Sequence, residues 1–167
     1  LGANLGDRYA ALAYAELALA ERVCLGPVII SDYVETDPVG GPEQPDYLNA
    51  VAVGWTRLSP ARVLRELHTV ESGLGRTREI RWGARTLDLD LIQYGDPVAD
   101  TDVVSSRASL MLPHPRAYER GFVLVPWLDA EPEAVLRVAG DVLTVRELVA
   151  SVDTSGVRPV DSDSASD

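Results

Sequence analysis

A chain of 167 residues, 46% hydrophobic and with a formal charge of −11, has the size and apolar content of one globular domain with a real core. So acidic a balance excludes general affinity for nucleic acid or an anionic membrane, and no apolar run reaches the ~18–20 residues of a membrane span. All fifteen basic residues are arginine, which excludes Schiff-base chemistry and a lysine-dependent P-loop, and the lone Cys24 excludes an intrachain disulfide and points to the cytoplasm.

Residues 2–8, GANLGDR, read as a turn into a helix, with Asp7 as the N-cap. Leu12, Ala15, Leu19 and Val23 recur at helical spacing and predict a helix over 8–24, which Gly26-Pro27 ends. VIISDYVET at 28–36 predicts a strand, and DPVGGPEQPD at 37–46 a long structured loop. YLNAVAVGWT at 47–56 alternates as a second strand. Ser59-Pro60 is a cap followed by proline at the first helical position, opening a helix with Val63, Leu67, Val70 and Leu74 on one face. A strand is expected over 87–94, then a short strand and loop within 98–112, helical segments within 113–130 and a last helix over 144–152. Trp55 and Trp127 read as core, and His68 as surface. The Ser- and Asp-rich residues 153–167 read as a disordered tail behind a single domain over 1–152. Helices and strands interleave without the beat of a doubly wound sheet, so an α+β sandwich is expected, with helices on a mostly antiparallel sheet.

The chemistry gathers at 75–92, GRTREIRWGARTLDLDLI. On a strand, side chains alternate between faces. Leu87, Leu89 and Leu91 must be buried, so Asp88 and Asp90 share the other face, about 6.5–7 Å apart from two rises of ~3.3 Å. Two such carboxylates suit Mg²⁺ shared with phosphate, or a two-metal site. A plainly solvated strand face is the alternative. Arg76, Arg78, Arg81 and Arg85 precede the pair on a segment bounded by Gly75 and containing Gly83. Arginine grips phosphate bidentately and keeps its charge, so such a segment can close as a lid over a polyphosphate whose cation sits on the aspartates. A solvated arginine loop paired with surface carboxylates is the plainer alternative.

The run Arg81-Trp82-Gly83-Ala84-Arg85-Thr86-Leu87-Asp88-Leu89-Asp90-Leu91-Ile92 resembles the signature of the 6-hydroxymethyl-7,8-dihydropterin pyrophosphokinases. GANLGDR at 2–8, Tyr47-Leu48-Asn49-Ala50, Pro113-His114-Pro115-Arg116 and Arg120-Gly121-Phe122 resemble further blocks of that family, in its order. The resemblance implies a ferredoxin-like fold, pyrophosphate transfer from ATP to the dihydropterin with release of AMP, and two Mg²⁺ ions. It implies Asp88 and Asp90 as metal ligands, with Arg78 and Arg85 catalytic beside them. It implies ATP contacts at Glu71, Arg76, Arg78, Trp82, Arg85, His114 and Arg120. For the pterin it implies Thr36, Val39, Tyr47, Asn49, Trp82, Asp88 and Phe122. Tyr47 and Phe122 match the family's two sandwiching rings, and Asn49 carries the donor and acceptor an amide edge needs. Aromatic residues at those positions could equally be plain core. The family's first strand is expected to begin before Leu1. A monomer is expected, and fusion or association with another folate enzyme stays open. Two rival readings are a different Mg²⁺-dependent hydrolase or nucleotidyltransferase, which would turn over ATP without a pterin, and a non-catalytic interaction module, which would not bind Mg²⁺-ATP.

Overall fold

A computed structural model of the chain describes residues 1–38, 43–74 and 86–160. The first helix, α1, covers Arg8–Arg22, and the Asp7 side chain caps it by accepting from the Ala10 N–H at 2.9 Å. The second, α2, covers Pro60–Gly73 and buries Val63, Leu67 and Val70. The two helices are tied by Glu66, whose carboxylate receives Arg22 and Arg62, each at 2.7 Å.

Between them in sequence lie four short strands: β2 (Val28–Ile30), β3 (Val34–Thr36), β4 (Tyr47–Asn49) and β5 (Ala52–Gly54). Each predicted long strand is therefore split in two. The break has a local cause, because Ser31 Oγ accepts the Val51 N–H at 2.9 Å, and the Ala50 N–H is taken by the Leu1 carbonyl. The central sheet runs β1 (Gly2–Ala3), β4, β3, β10 (Val157–Pro159), every neighbouring pair antiparallel.

The strand expected over 87–94 is reduced to a single bridge between Asp88 and Gly2, closed by two backbone bonds of 2.9 and 2.7 Å. On the side away from β1, the Leu89 N–H is taken by the Glu71 side chain. The predicted tail also needs correcting. Residues 153–160 are ordered, and β10 pairs with β3 along its whole length; only 161–167 lie outside the described residues. A hairpin of β8 (Val135–Val138) and β9 (Asp141–Thr144) was not expected from the sequence. Its turn puts Ala139 at φ 52° and Gly140 at φ 101°, the left-handed pair that a two-residue hairpin loop needs, here without the usual Asn-Gly signal. A second hairpin, β6 (Ser105–Arg107) with β7 (Leu110–Leu112), fills the 98–112 segment. Helix α3 covers Gly121–Ala130, and α4 covers Val145–Ser151 behind a capping box of Thr144 and Glu147.

The architecture is α+β, with antiparallel sheets and helices on both faces of the central one. Leu48 and Ala3 turn toward α1, where they meet Leu12. Leu87 and Leu89 join the α1–α2 core with Leu19 and Leu67. Val51, Val53 and Ile92 turn the other way, against Leu124, Trp127, Leu136 and Val145. Trp127 is thus core as expected, but Trp55 is 82% exposed, a correction to its reading as core. It lies just beyond the end of β5. His68 is exposed, as expected.

Candidate active site

The sheet register builds the site. Gly2 is paired with Asn49 on one side and with Asp88 on the other. Directly opposed residues of antiparallel strands share a face, so Asp88 and Asn49 project the same way. Thr36 and Tyr47 are paired with each other, and each lies two residues from the Val34–Asn49 pair, so both project to that face too. The opposite face is fixed by burial: Leu48 is 0%, Leu87 1% and Leu89 4% exposed. A one-residue slip would exchange the two sets, which the buried leucines forbid.

Glycine is required at position 2 by space. A Cβ there would stand 2.8 Å from Asn49 Oδ1. Asn49 itself is buried and donates from Nδ2 to Thr36 Oγ1 at 2.7 Å, which fixes the orientation of its amide.

Above this face lies a cavity of about 290 Å³. Thr36, Tyr47, Asn49 and Phe122 line it, and so do Asp88, Asp90, His114 and Arg120. Arg120 joins the two sets. Its guanidinium carbon lies 5.4 Å from the Phe122 ring centroid, and its Nη1 is 3.8 Å from Asp90 Oδ2. Tyr47 and Phe122 are half-buried and face the cavity, so neither is merely core.

His114 is set by its own loop. Its backbone N–H donates to the Ile92 carbonyl at 2.8 Å, and the Arg116 N–H donates to its Nδ1 at 3.2 Å. An Nδ1 that accepts leaves the proton of the neutral ring on Nε2, which lies 3.9 Å from Asp90 Oδ2. Burial holds this imidazole below its ordinary value, against the opposing pull of Asp90, so it is neutral at pH 7. Burial likewise lowers the Arg120 guanidinium from its usual value, but an arginine stays charged.

Asp88 and Asp90 are the residues here that could hold a divalent cation. Among the described residues, no cluster of three or more His, Cys, Asp or Glu forms a protein-only cage. Two carboxylates on one wall of a cavity suit a hard cation that completes its shell with substrate oxygens and water.

Eight of the residues singled out from the sequence meet at this cavity. Glu71 does not. It is 2% exposed and stands behind the aspartates, where its Oε1 accepts the Leu89 N–H at 2.9 Å. Val39, Arg76, Arg78, Trp82 and Arg85, and with them the expected lid, lie outside the described residues. Asp37, Gln44 and Arg116 line the cavity without having been singled out. The Tyr47 hydroxyl donates to Gln44 Oε1 at 3.3 Å, so the segment before β4 belongs to the wall. Its run of prolines and glycines signalled a structured loop but not which side chains it turns inward.

Comparison with known proteins identifies the family. The profile of 7,8-dihydro-6-hydroxymethylpterin-pyrophosphokinase (HPPK) matches residues 1–132. The chain belongs to the HPPK family. It is 40% identical over 166 residues to the 2-amino-4-hydroxy-6-hydroxymethyldihydropteridine pyrophosphokinase of Mycobacterium leprae, covering 95% of this chain and 85% of that protein. The identity is 39% over 162 residues to the protein of the same name from Methylorubrum extorquens, 96% of either chain. To that of Bacillus subtilis it is 40% over 126 residues, 75% of this chain and 72% of the relative. The HPPK match ends before β8, so the hairpin, α4 and β10 lie beyond it.

Proposed function

We infer that this chain transfers pyrophosphate from ATP to 6-hydroxymethyl-7,8-dihydropterin, giving the pterin diphosphate and AMP. It is an ATP-dependent diphosphotransferase of folate biosynthesis. The observation that carries the assignment to this cavity is the row Asp88–Gly2–Asn49, which sets an acidic position and an amide reader on one face, either side of a residue with no side chain.

In this reading the dihydropterin lies between Tyr47 and Phe122, with its amide edge against Asn49 and with Thr36 and Val39 at its border. Support comes from two half-buried rings and an oriented amide in one cavity. Asp88 and Asp90 would hold the two Mg²⁺ ions that the reaction uses. When bound, the ions would neutralise the polyphosphate and draw charge from its bridging oxygens. Arg120 offers a fixed cation beside Asp90, and the neutral His114 offers an Nε2–H donor toward the same oxygens. Arg76, Arg78 and Arg85 would add charge from the preceding segment, and Trp82 would cover both substrates. Glu71 acts on the nucleotide side only indirectly, by anchoring Leu89. The substrate hydroxyl then attacks the β-phosphorus in line and AMP leaves. Such transfers need positioning and charge neutralisation more than covalent help.

We also read the frame as a ferredoxin-like sandwich. The neighbours Asp88, β1, β4 and β3 follow one another across the sheet, with α1 and α2 as the intervening connections, and that order supports it. Among the described residues no helix is long and apolar enough to cross a membrane. The deciding assay incubates the protein with Mg²⁺-ATP, with and without dihydropterin, and measures AMP. AMP that appears only with the pterin is expected. Equal AMP without it would make the protein a hydrolase.

A further inference from the structure

The last strand reaches back to the pterin wall. β10 lies against β3 with Val157 opposite Thr36 and Arg158 opposite Glu35. From there the Arg158 guanidinium divides between two carboxylates, Nη1 to Asp37 Oδ1 at 2.6 Å and Nη2 to Asp46 Oδ2 at 2.7 Å. Asp37 directly follows Thr36 at the end of β3, and Asp46 directly precedes Tyr47 at the start of β4. Both flanking residues, Thr36 and Tyr47, line the cavity. The geometry points to Arg158 as a positioning residue for the dihydropterin: one side chain straps the two ends of the 37–46 connection and so fixes the lip of the pocket. This deepens the proposed reading of the cavity and rests on it.

Three further contacts aim at the same place. The Asp37 N–H donates to the Gly156 carbonyl at 3.2 Å, so the strand before Arg158 holds the backbone as well as the side chain. Arg8 donates to the Asp46 carbonyl at 3.0 Å and pairs with Glu35 at 2.8 Å. A single exposed ion pair stabilises little, because ordering two long side chains offsets the attraction. Here one ordered guanidinium serves two carboxylates, so that entropy is lost once for two pairs. The effect falls on the spacing of Thr36 and Tyr47 rather than on the aspartates at 88 and 90, which sit across β1. Arg158 should therefore act on one substrate and not the other.

The test is steady-state kinetics and calorimetry on Arg158→Gln, Arg158→Lys, Asp46→Asn and the double variant Arg158→Gln/Asp46→Asn, with Asn49→Ala as control. Arg158→Gln and Asp46→Asn should each raise the KM and Kd for dihydropterin about three- to tenfold while the KM for Mg²⁺-ATP and kcat stay within about twofold. The double variant should be little worse than either single one, since both break the same strap. Arg158→Lys should recover part of the loss through its retained charge. An unchanged dihydropterin KM in Arg158→Gln and Asp46→Asn, or an equal rise in both KM values, would reduce Arg158 to a general prop of the fold. If Asn49→Ala also left the dihydropterin KM unchanged, the reading of the cavity itself would fall; if Asn49→Ala raised it and the strap variants did not, only the role of Arg158 would.

Discussion

The backbone N–H of Leu89 donates to Glu71 Oε1 at 2.9 Å, across the boundary between α2 and the segment that carries both aspartates. Leu89 sits between Asp88 and Asp90, so this one bond fixes the carboxylates from behind. Glu71→Ala should leave that buried N–H unpaired and lower stability by about 1–3 kcal/mol. Glu71→Gln keeps an acceptor and should lose much less. Chemical denaturation of the two variants checks this, and equal losses would show that the bond to Leu89 is not what matters.

Asp88→Ala or Asp90→Ala should lower AMP formation by about 10²–10³-fold, as removal of a preorganised charge does elsewhere. Folding should survive, because alanine keeps the backbone bridge of position 88 to Gly2 and the Asp90 side chain is 44% exposed. Addition of a chelator to the native enzyme should give the same loss, reversed by Mg²⁺. Near-normal AMP formation by either folded variant would detach these residues from the chemistry.

Gly2→Ala tests the row that spaces the site. Its Cβ would push on Asn49 Oδ1 from 2.8 Å, and overpacking of this kind costs about 1–3 kcal/mol. The dihydropterin Kd should rise about tenfold, worth ~1.4 kcal/mol, with nucleotide binding nearly unchanged. Titration calorimetry with each substrate separates the two effects. Phe122→Ala should weaken the pterin in the same selective way.

Acid should loosen the α1–α2 pair. The hydrogen bonds from Arg22, helped by the charge of Arg62, hold the Glu66 carboxyl below its ordinary value of 4.5. A depressed carboxylate contributes stability that is fully present above the unfolded value and is lost as pH falls through the folded one. Glu66→Gln should therefore lower Tm at pH 7, and the gap from the native chain should close progressively below about pH 4.5. Thermal melts of both proteins over that range provide the check. A gap independent of pH would assign the loss to packing.

The aspartate pair was legible because two physical facts coincide there. Alternation sends Asp88 and Asp90 one way, and the apolar Leu87 and Leu89 leave no choice of which way. Tyr47 and Asn49 were legible on one face through the same alternation, whereas Thr36 came only from the family resemblance. That Glu71 would hold the Leu89 N–H was not legible, since the two lie eighteen residues apart in sequence. Nor was β10, because Ser and Asp around Val157-Arg158-Pro159 look like a solvated tail until the free edge of β3 is known. The β8–β9 hairpin escaped because Ala139 adopts a conformation more usual for asparagine or glycine. Trp55 shows the limit of reading burial from residue type.

The row through Gly2 also works as a gauge. Asp88 and Asn49 sit one strand to either side of it, so their backbones are separated by two interstrand spacings, about 9–10 Å. That length is set by main-chain hydrogen bonding, which no side-chain substitution at either end can stretch or shorten. In the proposed reading, changes at position 88 or 49 can alter what is gripped but not how far apart the two grips stand. An acceptor whose reacting oxygen lies one carbon further from its ring would meet the same fixed interval and overshoot it. Tolerance for such an acceptor would have to come from a different register of the sheet, and a shift by one residue would turn both grips toward the helices.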